Sequence, residues 1–254
     1  MSHDIDTKRS ENLAESPGLQ DALITREAKH TLSSFGPKWR KPVENEVLSS
    51  AALFYRKFFC SNSLAAYNPV HVLLAALALA CKTEESHHIT LRDLCNGDLQ
   101  CFEESIELEL DLLRALDFKI EVSQPWPIIL FFSSKLAERG KPDGAQKLFD
   151  VACEALSAWQ WTDAIVVYPF PLLAIAAVAE AAQVCGFSES FTDIVSNDFG
   201  SHLVEFFTSL PGRVKAIINR HPRPSHDAID ALSKRCIDAR ASDKPSKKRR
   251  KIPD

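Results

Sequence analysis

The stretch at residues 68–85, NPVHVLLAALALACKTEE, decides the fold. Between Val72 and Cys81 it offers only Val, Leu, Ala and Cys, whichever way a helix is turned. A helix at a protein surface keeps a polar face, so one that is apolar all round is enclosed by other helices. The run is far too short to span a bilayer. A bundle built about a central helix is expected, with Lys82 the first charge met where that helix runs out.

Upstream, Val43, Val47, Ala51, Phe54, Tyr55 and Phe58 recur at three- and four-residue steps, the stripe of a helix over residues 43–60 with one buried face. Pro and Gly mark off the other segments of helical length at residues 19–35, 70–84, 101–117, 128–139, 145–160, 172–185 and 201–220. Residues 225–240, with Ile229, Leu232 and Ile237 behind Ser225 as N-cap, predict a last amphipathic helix. No alternating β-branched run competes, and 8 Gly in 254 residues argue against a turn-rich β architecture. The fold class is all-α.

The central segment has an echo. YNPVHVLLAALA at residues 67–78 lies over YPFPLLAIAAVA at residues 168–179, each a Tyr and a Pro leading into a Leu/Ala-rich helix. The offset, 168 minus 67, is 101 residues, longer than a solenoid unit, and predicts two similar helical subdomains in tandem. Chance likeness between two Ala/Leu-rich helices is the alternative.

Laid out at about 100° per residue, residues 101–117 place Phe102, Ile106, Leu108, Leu110, Leu112, Leu113, Ala115 and Leu116 on a broad apolar arc. Glu107, Asp111 and Arg114 fall opposite. Glu109 falls inside the arc, between Leu116 and Leu113. A buried carboxylate needs a partner, since stranding a charge costs several kcal/mol. Lys82 is the natural candidate. The plainer alternative has Lys82 reaching to water and Glu109 at an exposed edge.

Residues 68–85, followed by ELDLLRALDFKIEVSQPWPIILFF at residues 109–132, resemble the cyclin box. In cyclins an apolar helix ends in Ala-x-Lys-x-x-Glu, and a later helix carries a Glu nine residues before a Phe. Lys82, Glu109 and Phe118 fall on those positions. The resemblance implies an all-α cyclin fold, two tandem five-helix cyclin-box repeats with flanking terminal helices. It also implies that Lys82 and Glu109 form a kinase-docking pair, with Leu79, Leu113, Phe118 and Ile120 lining the neighbouring apolar pocket. FYRKFFCSNSLAAYNP at residues 54–69 is similar to cyclin H-type proteins. That likeness implies a transcriptional cyclin, a regulatory subunit and not an enzyme. Its partner would be the kinase of the CDK-activating complex linked to TFIIH, with a third assembly subunit. Cyclins of type C, K or T remain alternatives. The Met-Arg-x-Ile-Leu segment that recruits substrates in mitotic cyclins has no counterpart at residues 23–35, and Thr83 replaces the apolar residue often found after the Lys. The implied domains are a first box at 17–122, a second at 123–222 and a helix at 223–240, between disordered segments at 1–16 and 241–254.

Composition narrows the function further. Hydrophobic residues at 45% and charged residues at 25% are ordinary globular values, enough for one or two domains. A formal net charge of -4 gives no overall attraction to a polyanion, so direct nucleic-acid binding is not expected. This weighs against a DNA-binding factor of the TFIIB-like kind, as does the lack of a C-x-x-C ribbon. Seven scattered cysteines, an odd number, point to a reducing compartment. Residues 1–15 lack an apolar signal core, so an intracellular protein away from membranes is expected. His87 and His88, near Cys95 and Cys101, match no zinc spacing, so no metal is expected. Absence of a nucleophile elbow, a phosphate-binding Gly loop and H-E-x-x-H leaves no catalytic residues, cofactor or small-molecule ligand to expect. Trp126, Trp159 and Trp161 are expected in the core or at an interface. Lys247, Lys248, Arg249, Arg250 and Lys251 form a basic run that reads as a nuclear address, against the alternative of a merely solvated tail.

Overall fold

The computed structural model describes residues 17–34, 43–221 and 223–242, and every regular element among them is helical. The first five helices are α1 (Pro17–Ser34), α2 (Asn45–Ser61), α3 (Pro69–Thr83), the one-turn α4 (Leu91–Leu94) and α5 (Leu99–Ala115). They are followed by α6 (Trp126–Glu138), α7 (Pro142–Trp159), the one-turn α8 (Ala164–Val167), α9 (Phe170–Cys185) and α10 (Ser188–Val195). A π turn (Ser196–Gly200) and a 3-10 turn (Ser201–Leu203) lead into α11 (Val204–Ile218), and α12 (His226–Ser242) closes the order.

Helix α3 starts where its sequence says it must. The Asn68 side chain accepts a hydrogen bond from the Val70 N–H at 3.1 Å, and Pro69 fills the first helical position, where a missing N–H costs nothing. From Val72 to Cys81 no residue is more than 7% exposed, because α1, α2, α4 and α5 surround the helix. Helix α9 repeats the arrangement inside α6, α7, α10 and α11, with its residues from Leu173 to Ala179 all buried. Their first residues are 170 minus 69, or 101, apart, which is the offset of the sequence echo. The fold is thus two five-helix repeats, each packed about an Ala/Leu-rich helix whose small side chains admit close neighbours.

Several bonds tie the repeats into one core. Helix α2 packs on α8, and Ser49 Oγ donates to Gln160 Oε1 at 3.2 Å. Arg56 of α2, its side chain 2% exposed, bonds Asp21 of α1 and Asp163, 2.6 Å away at the head of α8. Helix α12 returns to the first repeat, laying Ile229, Leu232 and Cys236 against α1. Arg26 pairs there with Asp230, and Arg240 donates to the carbonyls of Leu64 and Tyr67 at 2.5 and 3.2 Å. Its N-cap is the expected Ser225, whose hydroxyl accepts from the Ala228 N–H at 3.3 Å.

The sequence missed α4, α8 and α10, which at four to eight residues are too short to show a 3.6-residue period. The helix expected over 201–220 becomes regular only at Val204, because Gly200, at φ +108°, redirects the chain after the π turn. Trp159 and Trp161 are buried as expected, while Trp126 is half-buried.

Candidate functional site

Lys82 lies in the last turn of α3, the first position past the enclosed core. Across from it, Glu109 projects from the middle of α5. Lys82 Nζ donates to both carboxylate oxygens, at 2.6 and 2.7 Å. The two side chains are 59% and 30% exposed, so the pair lies at the surface and the carboxylate is not stranded in a core. The apolar arc assigned to α5 explains the difference: of its residues only Leu112 and Leu116 are buried, while Ile106 and Leu110 are 46% and 48% exposed. A helical wheel gives the direction of each side chain but not which directions neighbours occupy. Helix α5 packs mainly on α3, and its arc is wider than that contact.

The other expected pocket residues divide. Leu113 and Ile120 are half-buried at the edge, Phe118 is 63% exposed, and Leu79 is only 4% exposed, facing the core beneath the edge instead of lining an open pocket. Phe118 follows Asp117 at the end of α5, both left-handed at φ +51° and +58°. Such a conformation is costly for a bulky residue. It is held by the Phe118 N–H donating to the Leu113 carbonyl at 2.9 Å. The end of α3 is also fixed. Glu84 accepts from Ser50 Oγ at 2.6 Å and from Gln124 Nε2 at 2.9 Å, and Gln124 also reaches Ser50 Oγ at 3.0 Å. The Thr83 hydroxyl turns back to the Ala80 carbonyl of its own helix.

An exposed ion pair of this kind stabilises a fold by roughly 0.2–1 kcal/mol. Its two rigid supports and exposed apolar neighbours are out of proportion to that gain, and they suit recognition better than stability. The second repeat holds a counterpart with the charges exchanged: Glu180 of α9 and Lys215 of α11, 2.5 Å apart. The sequence reading missed Ile106 and Leu110 as surface residues. The signal available was the width of the arc itself, and it missed Gln124 because a lone Gln in a linker carries none.

At the far end of α5, His71 Nδ1 is 2.9 Å from Glu104 Oε2. Burial lowers the pKa of His71 below its ordinary 6.5, Glu104 opposing and Arg240 adding to the depression. Unfolding releases this histidine to take a proton, so its contribution to stability is lost as pH falls from 6.5 through the lowered native value. His71→Gln should therefore flatten the decline of the thermal midpoint below pH 6.5, and an unchanged slope would refute the assignment. His87 and His88 are exposed, and no group of three or more metal-ligating side chains occurs among the described residues. No described helix is long and apolar enough to cross a membrane. Lys247 to Lys251 lie outside the described residues.

Residues 39–121 match the cyclin N-terminal domain family. The chain is 24% identical over 216 residues to Cyclin-H1-1 of Arabidopsis thaliana, covering 81% of this chain but 64% of the plant protein. It is 22% identical over 225 residues to Cyclin-H of Xenopus laevis, 85% of this chain and 70% of the frog protein. Its fold resembles a chain in the structure of the CAK complex from Chaetomium thermophilum bound to ATP-gamma-S. That likeness has a TM-score of 0.70 and 19% identity, over 89% of this chain and 74% of the other. Residues 39–121 are thus matched as a cyclin N-terminal domain, and the chain is similar to proteins named cyclin H over about four fifths of its length.

Proposed function

We propose that the chain is a regulatory cyclin subunit that docks on a cyclin-dependent kinase through the Lys82–Glu109 edge and holds that kinase in its active arrangement. The chemistry belongs to the kinase, whose own Lys and helix Glu must meet for phosphoryl transfer. The observation that carries the proposal is a fixed, solvent-facing ion pair beside exposed Ile106, Leu110 and Phe118. Such an edge supplies apolar area to bury and charges that set register. The similarity to two proteins named cyclin H, and a fold like that of a chain in a CAK complex, supports the choice of partner.

The finer proposal is that this partner is the TFIIH-associated CDK-activating kinase, joined by a third assembly subunit and acting in transcription and the cell cycle. Residues 17–122 and 123–222 are then the two cyclin boxes. Lys247, Lys248, Arg249, Arg250 and Lys251 direct the chain to the nucleus. Affinity purification of the full tagged chain, with identification of what accompanies it, tests the partner. A cyclin-dependent kinase in near-equal amount is the expected result; DNA or polymerase recovered with no kinase overturns the proposal.

A further inference from the structure

Away from the docking edge, positive charge gathers where the second repeat ends. Residues 206–226 contain no Asp or Glu but hold Arg213, Lys215, Arg220 and Arg223, in a chain whose formal net charge is -4. Two of these cations are engaged. Arg213 lies over the Phe206 ring, 5.4 Å from its centroid, and Lys215 pairs with Glu180. Arg220 and Arg223 are exposed and pair with no carboxylate among the described residues. A cation at the end of a helix is favoured by the dipole whether or not it binds anything. That accounts for Arg220, just past α11, but not for Arg223 three residues further on.

Both arginines, with the half-buried His221, line a cleft of about 510 Å³ at the seam between the repeats. Its other walls are the start of α1, the end of α2, α8 and the end of α11. Gly18 of α1 sits against His221 with no room for a Cβ between them, so the two repeats meet closely there. An apolar strip runs through the cleft: Ile217 and the α8 residues Val166 and Val167, which are 40% and 58% exposed. Asp21 and Asp163 line it as well, but the buried Arg56 already engages both. The cleft therefore offers a partner two unengaged guanidinium groups beside apolar surface, while its carboxylates are taken.

We propose that this cleft is a docking site for a short acidic peptide segment of a partner protein, with carboxylates on Arg220 and Arg223 and apolar side chains on Val166, Val167 and Ile217. Charge complementarity selects the occupant. A guanidinium presents a planar fork that matches a carboxylate, and an unengaged one gains most from such a partner. A cleft of this size takes a few side chains of an extended segment. Nucleic acid fits worse, because its unbroken row of phosphates would meet only two unengaged cations and pass over Asp21 and Asp163. A peptide can space its carboxylates and put apolar residues between them. None of the cleft residues belongs to the Lys82–Glu109 edge, so a kinase docked there leaves these residues free for a second partner.

The test is fluorescence anisotropy of the labelled peptide Asp-Glu-Leu-Phe-Asp-Glu titrated with the full chain at low salt. Binding is expected, with the amide counterpart Asn-Gln-Leu-Phe-Asn-Gln weaker by about tenfold or more. Arg220→Glu with Arg223→Glu should weaken the acidic peptide by about tenfold or more, whereas Arg220→Lys with Arg223→Lys should keep most of the binding. Val167→Asp should also weaken it, and this second variant leaves both arginines in place. Glu109→Lys should leave the peptide unaffected. Replacing Lys247 to Lys251 with Ala should change binding by less than about threefold, and a loss there with none for the paired arginine reversals would move the site to the basic run. No binding by the wild-type chain overturns the proposal, as does equal binding of the amide peptide. So does a single-stranded oligonucleotide of equal charge that binds more tightly and depends on the same two arginines.

Discussion

Glu109→Lys should weaken kinase binding by on the order of a hundredfold, about 3 kcal/mol, while Glu107→Lys should change it by less than about threefold. The two glutamates are two residues apart on α5 and carry the same charge, but they face differently. Glu109 holds Lys82 through both oxygens beside exposed Leu110 and Phe118, whereas Glu107 is exposed on the other side of the helix. Reversing Glu109 leaves two cations facing each other at the edge a partner must cover. The fold should barely notice, because an exposed pair contributes roughly 0.2–1 kcal/mol, so thermal unfolding separates a docking defect from a folding one. The exchange Lys82→Glu with Glu109→Lys sharpens the point. It restores an intramolecular pair but reverses both charges presented to the kinase, so binding should stay low. Binding by titration calorimetry checks all three; equal losses for Glu107→Lys and Glu109→Lys would remove the edge from the interface.

What the sequence made legible follows from where each signal comes from. The central helix was legible because ten apolar residues in a row allow one arrangement in water, and α3 is enclosed from Val72 to Cys81 as that demands. The 101-residue echo was legible for the same reason, since α9 is the other helix of that kind. Pairing of Lys82 with Glu109 was weighed against a plainer alternative, and the geometry takes something from both: the bond forms, and it forms at an exposed edge. Exposure was not legible because periodicity says nothing of how much of an arc the neighbours cover, which left Ile106 and Leu110 assigned to a buried face; Leu79 was placed in the apolar pocket by the resemblance alone, which carries no burial. The left-handed turn through Asn96 and Gly97 was not legible either, because turn geometry is decided by backbone angles that a hydropathy pattern does not carry.

Arg56 was also beyond the pattern, since it sits between Tyr55 and Phe58 on the apolar stripe of α2 and looks there like an ordinary surface charge. Its side chain is 2% exposed and holds Asp21 of the first repeat and Asp163 of the second at once. Arg56→Ala should cost about 3–5 kcal/mol, because removing the cation leaves two carboxylates facing each other with no counter-charge. Urea unfolding measures this as a lower midpoint. The pH dependence has a fixed sign. Burial already raises the Asp163 pKa, with the Arg56 charge the main opposing influence and Asp21 pushing the same way as burial. Without Arg56 the native pKa rises further above the unfolded value. A raised carboxyl favours the folded state below its unfolded pKa, and that contribution is lost as pH rises through the folded pKa. The deficit of Arg56→Ala against the wild type should therefore be largest at neutral pH and shrink as pH falls toward 4. Arg56→Met combined with Asp21→Asn and Asp163→Asn should recover most of the lost stability. One guanidinium nitrogen of Arg56 is buried without a partner, so the charged triad was imperfectly satisfied to begin with. A deficit that grows on acidification, or a triple variant no better than Arg56→Ala, would mean that Arg56 acts by packing its stem and not by balancing the two carboxylates.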